Sequence, residues 1–227
     1  MNALRKILVS SITVGILSLA MCVPLFAADG SSATDSGSRV KESINLQDAS
    51  ENMTMSDVLT FDELVLEFAK DSEISVDQAR ATLLSNYYSS GKKLNSSVSP
   101  QLATFRTFTA TLEEFSKIGI DYKPSLNFYC ETTESRPSFH GIVSVLNTTM
   151  NRIYNGKAKQ FSGTVYTNLE HANKIHYVVE GSFYNNGTTT YSGNGGIKVG
   201  ESFTLSFGVS NSSNYFGSLY EPGDYEW

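Results

Sequence analysis

Cysteine is scarce in this sequence. Only Cys22 and Cys130 occur among 227 residues, and Cys22 lies in an apolar N-terminal stretch with the pattern of a removable export signal. A chain left with Cys130 alone has no partner for an internal disulfide, so an ordinary hydrophobic core must stabilise it. We therefore predict a disulfide-free fold with Cys130 in its core. Since exported eukaryotic domains of this size more often carry disulfides, we also predict a bacterial origin.

Positive charge is also in short supply. The chain has 17 Lys and Arg residues against 23 Asp and Glu residues, a formal net charge of −6, which becomes −8 once Arg5 and Lys6 leave with the signal. An acidic surface repels polyanions. We predict no nucleic-acid partner, and membrane contact only through the signal segment before its cleavage.

Local catalytic motifs are missing as well. The sequence contains no G-x-S-x-G, H-E-x-x-H, P-loop or C-x-x-C pattern. A thiol enzyme built on Cys130 would need a base from one of the three histidines, yet Cys130 shares the apolar face of its strand. A metal site formed by Glu170, His171 and His176 has no recognised ligand spacing. We predict no catalytic, cofactor-binding or metal-binding residue. An extracellular hydrolase that uses acids such as Glu131, Glu134 or Glu180 stays open as an alternative.

The first 27 residues have the pattern of a signal peptide. Arg5 and Lys6 precede an apolar stretch, and Pro24 breaks it shortly before small residues that signal peptidase can accept. We predict cleavage after Ala27 or Ala28 and secretion of the mature chain. The alternatives are an uncleaved membrane anchor, since about 20 apolar residues can span a bilayer, and a lipoprotein attached through Cys22.

The segment 28–58 contains no aromatic residue and is rich in small and polar ones. It cannot bury enough apolar surface to offset the entropy of ordering, which predicts a disordered linker.

Two capping-box patterns then predict a helical hairpin over residues 59–90. Thr60 is followed three residues later by Glu63, and Ser75 is followed by Gln78. Apolar residues recur at helical spacing after each cap, and the connection is short enough for antiparallel packing.

From residue 101 to the C-terminus the apolar period changes from helical to two. This predicts half-buried strands with one apolar and one solvated face, and Asn186-Gly187 predicts a two-residue hairpin turn. The predicted fold is mainly β, an antiparallel sandwich or barrel-like sheet behind a short helical hairpin, and α+β overall. The predicted core-facing residues are Leu126, Phe128, Cys130, Phe139, Val143, Val145, Phe161, Val165, Ile175, Tyr177, Val179, Phe183, Phe203, Leu205, Phe207 and Val209.

Several phrases between residues 122 and 209 stand together in a familiar order. They are Tyr122-Lys123-Pro124-Ser125-Leu126, Phe128-Tyr129-Cys130, Met150-Asn151-Arg152, the run 159–166 and the run 183–190. In these the chain resembles exported proteins of Gram-positive bacteria that have no assigned function. The resemblance implies an exported bacterial protein and supplies no catalytic residue.

Tyrosines supply the remaining functional lead. Five of them fall on positions predicted to face outward or to lie in loops, where an aromatic ring can stack on a sugar or anchor a protein partner. We therefore predict a non-catalytic binding or structural module that recognises a cell-surface glycan or protein. A secreted toxin or bacteriocin-like protein is a further alternative. The candidate contact residues are Tyr129, Tyr166, Tyr184, Tyr191 and Tyr215.

Overall fold

A computed structural model describes residues 52–89, 99–135, 138–193 and 195–227. The predicted signal peptide and the predicted linker up to residue 51 lie outside these residues, as does most of the polar segment 91–100 between the predicted hairpin and the predicted strands. The elements, in chain order, are β1 (Met53–Met55), α1 (Phe61–Ser72), α2 (Val76–Ser89), a 3₁₀ turn (Pro100–Leu102), β2 (Thr104–Thr111), α3 (Glu114–Lys117), β3 (Ser125–Ser135), β4 (Ser138–Asn151), β5 (Ile153–Tyr154), β6 (Lys157–Ala158), β7 (Gln160–His171), β8 (Lys174–Ser192), β9 (Ile197–Lys198) and β10 (Ser202–Glu226).

The helical hairpin begins at the two predicted caps. The Glu63 amide donates to Thr60 Oγ1 at 3.3 Å, and the Thr60 amide donates back to Glu63 Oε2 at 2.8 Å. Ser75 and Gln78 make the same reciprocal pair at 3.2 and 3.1 Å. Each cap satisfies amides that the first helical turn leaves unpaired, which contributes about 1 kcal/mol. Both predicted helices are therefore confirmed.

The central layer is a five-stranded antiparallel sheet in the order β1-β2-β3-β4-β9. One face carries Phe105, Tyr129 and Leu146, which pack against apolar residues of α1 and α2. The opposite face carries Phe128, Cys130 and other residues of the main core. The sheet is thus covered on both sides, and the hairpin packs directly on it.

The second sheet consists of three long antiparallel strands, β7, β8 and β10. β10 pairs with β7 through residues 202–207 and with β8 through most of its remaining length. Asn211 and Asn214 have φ values of 53° and 57°, and the pairing register shifts beside them. These irregularities lie within the stretch that pairs with β8, whereas Ser206 and Phe207 pair with both neighbours. The inward side chains of the second sheet, Phe161, Val165, Val179 and Phe183 among them, complete the main core.

Antiparallel strands in two facing sheets, preceded by a helical hairpin, confirm the predicted mainly-β, α+β fold. The predicted apolar face is buried along β3, β7 and β8, but the alternate face of β3, predicted to be solvated, is buried as well, since Asn127, Tyr129 and Glu131 are at most 8% exposed. Leu126, Phe128, Cys130, Val179 and Phe183 are all fully buried.

The predicted hairpin turn at Asn186-Gly187 is wrong. β8 continues through both residues to Ser192, and the turn that joins β7 to β8 lies at Ala172-Asn173. A Cβ on Gly187 would lie 2.6 Å from Val209 Cγ1, and the glycine has a φ of 131°. Gly187 is therefore required by the close approach of β10 and by local twist rather than by a chain reversal.

The alternation predicted for β4 is also wrong in its middle. Val143 is 36% exposed, whereas its neighbour Ser144 is fully buried. The pairing of β3 with β4 shifts register between Glu131 and Thr132. Such an irregularity inserts an extra residue and turns the following side chains to the other face.

The last residues of the predicted linker are not disordered. Met53, Thr54 and Met55 form β1, which pairs with residues 108–110 of β2. Residue Arg106 of β2 also donates through Nη1 to the Ser56 carbonyl at 2.6 Å. This segment is held by backbone pairing, which needs no aromatic side chain.

Candidate functional site

The expectation that Tyr129 faces solvent is wrong. Its side chain is fully buried between the central sheet and α1, and its ring packs edge-on against Phe68 with centroids 5.1 Å apart. Alternation along β3 indicated correctly that Tyr129 and Phe128 lie on opposite faces. The helices α1 and α2 cover the face of the sheet that carries Tyr129, and the sequence of β3 gives no sign that this face is covered.

Three of the other candidate tyrosines lie on the outer face of the second sheet. Tyr184 and Tyr215 are cross-strand partners with ring centroids 6.0 Å apart, and Tyr215 is 61% exposed. Tyr166 lies farther along the sheet beside His176. Of the five candidate tyrosines, the structure therefore brings only Tyr184 and Tyr215 into contact with each other, and Tyr166 contacts His176 instead.

Tyr191 lies elsewhere, in a cleft of about 320 Å³. Four segments that are distant in sequence form this cleft: the end of α1, the end of β4, the second half of β8 and one residue of β10. The lining residues are Asp71, Ser72, Glu73, Ile74, Thr148, Thr149, Met150, Arg152, Thr188, Thr189, Thr190, Tyr191 and Phe207.

One wall of the cleft is apolar and aromatic. The rings of Tyr191 and Phe207 lie 6.1 Å apart at 37°, and Ile74 and Met150 also line the cleft. Burial raises the pKa of the Tyr191 hydroxyl above its ordinary value of 10.0. This hydroxyl is therefore protonated at neutral pH and can both donate and accept a hydrogen bond.

A buried polar network positions Asp71 at the base of the cleft. The Tyr129 hydroxyl donates to Asp71 Oδ2 at 2.6 Å, and Asn127 Nδ2 donates to the same oxygen at 2.8 Å. Burial, together with the Asp71 charge, raises the pKa of Tyr129 well above its ordinary value, so its hydroxyl keeps the proton that it donates. Both bonds end on Oδ2, and within the described residues Oδ1 accepts none. Asp71 thus presents one fixed carboxylate oxygen as an acceptor.

Arg152 supplies the donor side of the cleft. Its Nη1 atom lies 2.9 to 3.2 Å from the Lys159 carbonyl, Gln160 Oε1 and Thr189 Oγ1. Its side chain is only 11% exposed, and Nη2 is 3.2 Å from Glu73 Oε1. Contacts from β6–β7, β8 and the end of α1 therefore fix the guanidinium.

Glu73 holds an unusual backbone conformation at the mouth of the cleft. It caps α1 with φ 56° and ψ 38°, in the left-handed region. Every other described residue with a positive φ is Asn or Gly, because a longer side chain costs about 1 kcal/mol there. Strain of this kind concentrates at binding and catalytic sites. Here it places a carboxylate beside Arg152.

The residues considered for catalysis do not converge. Cys130 is fully buried in the main core, and burial raises the pKa of its thiol well above the ordinary value. Glu131 is buried on the helix-facing side of β3, where Ser144 donates to it at 3.2 Å. Glu134 pairs with Arg106, and Glu180 is exposed on the second sheet. These carboxylates occupy three different surroundings, so they form no common active site.

Sequence reasoning missed Asp71, Glu73 and Arg152. A glutamate at the predicted end of α1, where Asn or Gly is preferred, is the one local signal that could have drawn attention to the cleft. Arg152 follows a strand end with no distinguishing pattern.

Within residues 52–89, 99–135, 138–193 and 195–227, no helix is long and apolar enough to cross a membrane, and no three His, Cys, Asp or Glu side chains form a metal-binding group. No family model matches the chain, and neither a curated protein nor a solved structure shows significant similarity to it.

Proposed function

We propose that this protein is an exported, non-catalytic binding module that takes a small organic ligand in the cleft between α1, β4 and β8. The observation that carries the proposal is the cleft itself, which is lined both by the aromatic rings of Tyr191 and Phe207 and by the hydrogen-bonded polar groups of Asp71 and Arg152. Ligand pockets in proteins typically measure about 300 to 1,000 Å³ and combine apolar walls with a few oriented polar groups.

The cleft is a better site than the tyrosine pair on the outer face. Tyr184 and Tyr215 lie on the open side of a sheet, where a ligand would keep much of its surface in water. Tyr191 is half-buried and belongs to a concave wall. The polar groups opposite it are held by several hydrogen bonds each, so less ordering entropy is lost when a ligand binds.

Export rests on the N-terminal pattern and on the resemblance to exported Gram-positive proteins. We propose that the mature chain begins near Ala28 and acts outside the cell. N-terminal sequencing of protein recovered from the culture medium tests this, with a start at Ala28 or Asp29 expected. Retention in the membrane fraction with the N-terminus intact would overturn it.

The experiment for the binding function compares two tyrosine variants of the secreted protein. A panel of neutral, acidic and basic sugars, nucleosides and aromatic amines is screened by the shift in thermal midpoint, and ligands that raise it are titrated by calorimetry. Tyr191→Ala should abolish the shift, while the matched variant Tyr215→Ala should bind normally. Loss of binding in Tyr215→Ala alone would move the site to the outer face. No stabilisation by any panel member would refute the proposal.

A hydrolase is the weaker candidate, although the cleft does hold two carboxylates, on Asp71 and Glu73. Glycoside cleavage requires one carboxyl group to stay protonated, which apolar surroundings achieve. Glu73 has the opposite surroundings, since its side chain is 69% exposed and ion-paired with Arg152. Asp71 already accepts hydrogen bonds from Asn127 and Tyr129 on one of its oxygens.

A further inference from the structure

We infer that the ligand is an uncharged carbohydrate of at least two units, with one ring against Tyr191 and the next beyond Arg152. This inference rests on the proposed binding function and specifies the class of ligand.

The charges in the cleft disfavour an ionic ligand. An anion approaching the Arg152 guanidinium would also approach Asp71 and Glu73, and a cation approaching Asp71 would approach Arg152. A neutral group that both donates and accepts avoids either repulsion. One hydroxyl of a sugar ring can donate to Asp71 Oδ1, while another hydroxyl of the same ring accepts a hydrogen bond from a donor of the cleft.

Hydroxyl groups dominate the rest of the lining. Seven of the thirteen lining residues are Ser, Thr or Tyr. Hydroxyls rotate to act as donors or acceptors, so a surface rich in them can match the alternating hydroxyls of a sugar ring. Three of these hydroxyls already have protein partners. Thr148 and Thr149 are buried and lie 3.4 Å from Thr167 Oγ1 and 3.1 Å from the Tyr129 hydroxyl, and Thr189 donates to Gln160 Oε1 at 2.9 Å.

The aromatic wall completes the match to a pyranose. A pyranose ring has an apolar face of C–H groups as well as hydroxyls around its rim, and such a face packs on an aromatic ring. Tyr191 offers its ring beside that of Phe207. A linear polyol would satisfy the hydroxyls but would leave this wall without a partner.

A second groove extends the site past Arg152. It measures about 380 Å³ and shares Asp71, Glu73, Met150 and Arg152 with the first cleft. Its own lining includes Asn151 and Gln160, which are polar, Lys70, which is charged, and Lys159, whose ammonium donates to Asn185 Oδ1 at 2.6 Å. A second sugar unit in this groove would use hydrogen bonds rather than stacking.

The test is calorimetric titration of the secreted protein with matched disaccharides. The neutral probes are cellobiose, maltose and N,N′-diacetylchitobiose, and the charged probes are digalacturonic acid and the free diamine of chitobiose. At least one neutral disaccharide should bind at least about tenfold more tightly than every charged probe. Tighter binding of a charged probe would overturn the inference while leaving the proposed function standing. No binding by any compound of the wider panel would instead refute the function itself.

Asp71→Asn separates the roles of charge and shape. The amide keeps the size of the side chain and an oxygen for Tyr129, so the fold is retained. Affinity for the neutral disaccharide should fall about tenfold, since a charged acceptor is lost, whereas digalacturonic acid should bind better than to the wild type. Asp77→Asn, at the start of α2 and away from the cleft lining, is the matched control and should change neither affinity. Equal affinities in wild type and Asp71→Asn would contradict the assigned acceptor.

Lys70→Ala tests the second subsite. It should weaken disaccharide binding and leave the affinity for the corresponding monosaccharide unchanged, because Lys70 lines only the second groove of these two. Equal binding of mono- and disaccharide by the wild type, with no effect of Lys70→Ala, would confine the ligand to a single unit.

Discussion

The two faces of the central sheet are both buried, but by different kinds of contact. The face towards the second sheet is apolar, and Phe128 and Cys130 pack there among aromatic and aliphatic side chains. The face towards the helices alternates with it along the same strand and carries Asn127 and Tyr129. These polar groups are buried with hydrogen-bond partners, and their network ends on Asp71 in the cleft. The comparison teaches that a polar face on a strand can be an interior surface when another element brings partners to it.

The largest effect is expected on the apolar face. Phe128→Ala removes a fully buried ring from the main core and should lower the free energy of unfolding by about 3 to 5 kcal/mol, because a cavity is left behind. Urea denaturation at neutral pH measures it. If Phe128→Ala lost less free energy of unfolding than Tyr129→Phe does, the apolar face would not be the more important of the two for stability.

Tyr129→Phe probes the helix-facing side with almost no change in shape. It removes the hydroxyl that contacts Asp71 and Thr149 and should cost about 1 to 2 kcal/mol. Ligand affinity should fall as well, because Asp71 loses one of the two donors that position it. Tyr220→Phe, whose side chain is 62% exposed, is the control. If stability falls while ligand affinity stays the same, the hydrogen-bond network of Tyr129 does not position Asp71 for binding.

Glu73→Gly and Glu73→Ala together isolate the strain at the mouth of the cleft. Both lose the carboxylate, so they share the loss of the Arg152 contact, and only glycine accepts the left-handed conformation without cost. The glycine variant should be more stable than the alanine variant by about 1 kcal/mol. Equal unfolding midpoints would show that the backbone relaxes and that the position stores no strain.

The smallest effect concerns the Arg106–Glu134 pair at the rim of the apolar face. Hydrogen bonds from the Arg106 guanidinium, at 2.8 and 3.1 Å, hold the pKa of Glu134 below its ordinary value of 4.5. The pair therefore stabilises the fold fully above pH 4.5, and this contribution disappears as the pH falls through the lower pKa of the folded state. Glu134→Gln should be less stable than the wild type at neutral pH.

The difference in the free energy of unfolding between the wild type and Glu134→Gln should become smaller as the pH falls. Urea denaturation at a series of pH values between 3 and 7 measures this difference. A constant difference between wild type and Glu134→Gln across this range would contradict the role of the ion pair.

Local patterns predicted the parts of the fold that local chemistry determines. Thr60 and Ser75 cap helices through contacts three residues away, and the period of two in β3, β7 and β8 follows from strand geometry. The register shift in β4 and the path of β8 through Asn186-Gly187 depend on neighbouring strands, which no short window of sequence contains. The same holds for the covering of Tyr129 by α1.

The site was less predictable than the fold. Tyr191 was the only one of its lining residues among the predicted contacts. Asp71, Arg152 and Phe207 come from three parts of the chain that lie far apart in sequence, and only tertiary packing brings them to one cleft. The residues next to each of them in the sequence do not mark them as members of a site.

The complete burial of Cys130 has a kinetic consequence. A thiol reagent in water can reach its Sγ atom only when the two sheets separate, so the rate at which Cys130 is labelled reports core openings. A ligand that binds only the folded protein must slow this reaction in proportion to the fraction of sites it occupies. The labelling rate of the Cys130 thiol thus ranks candidate ligands by how far each one slows it.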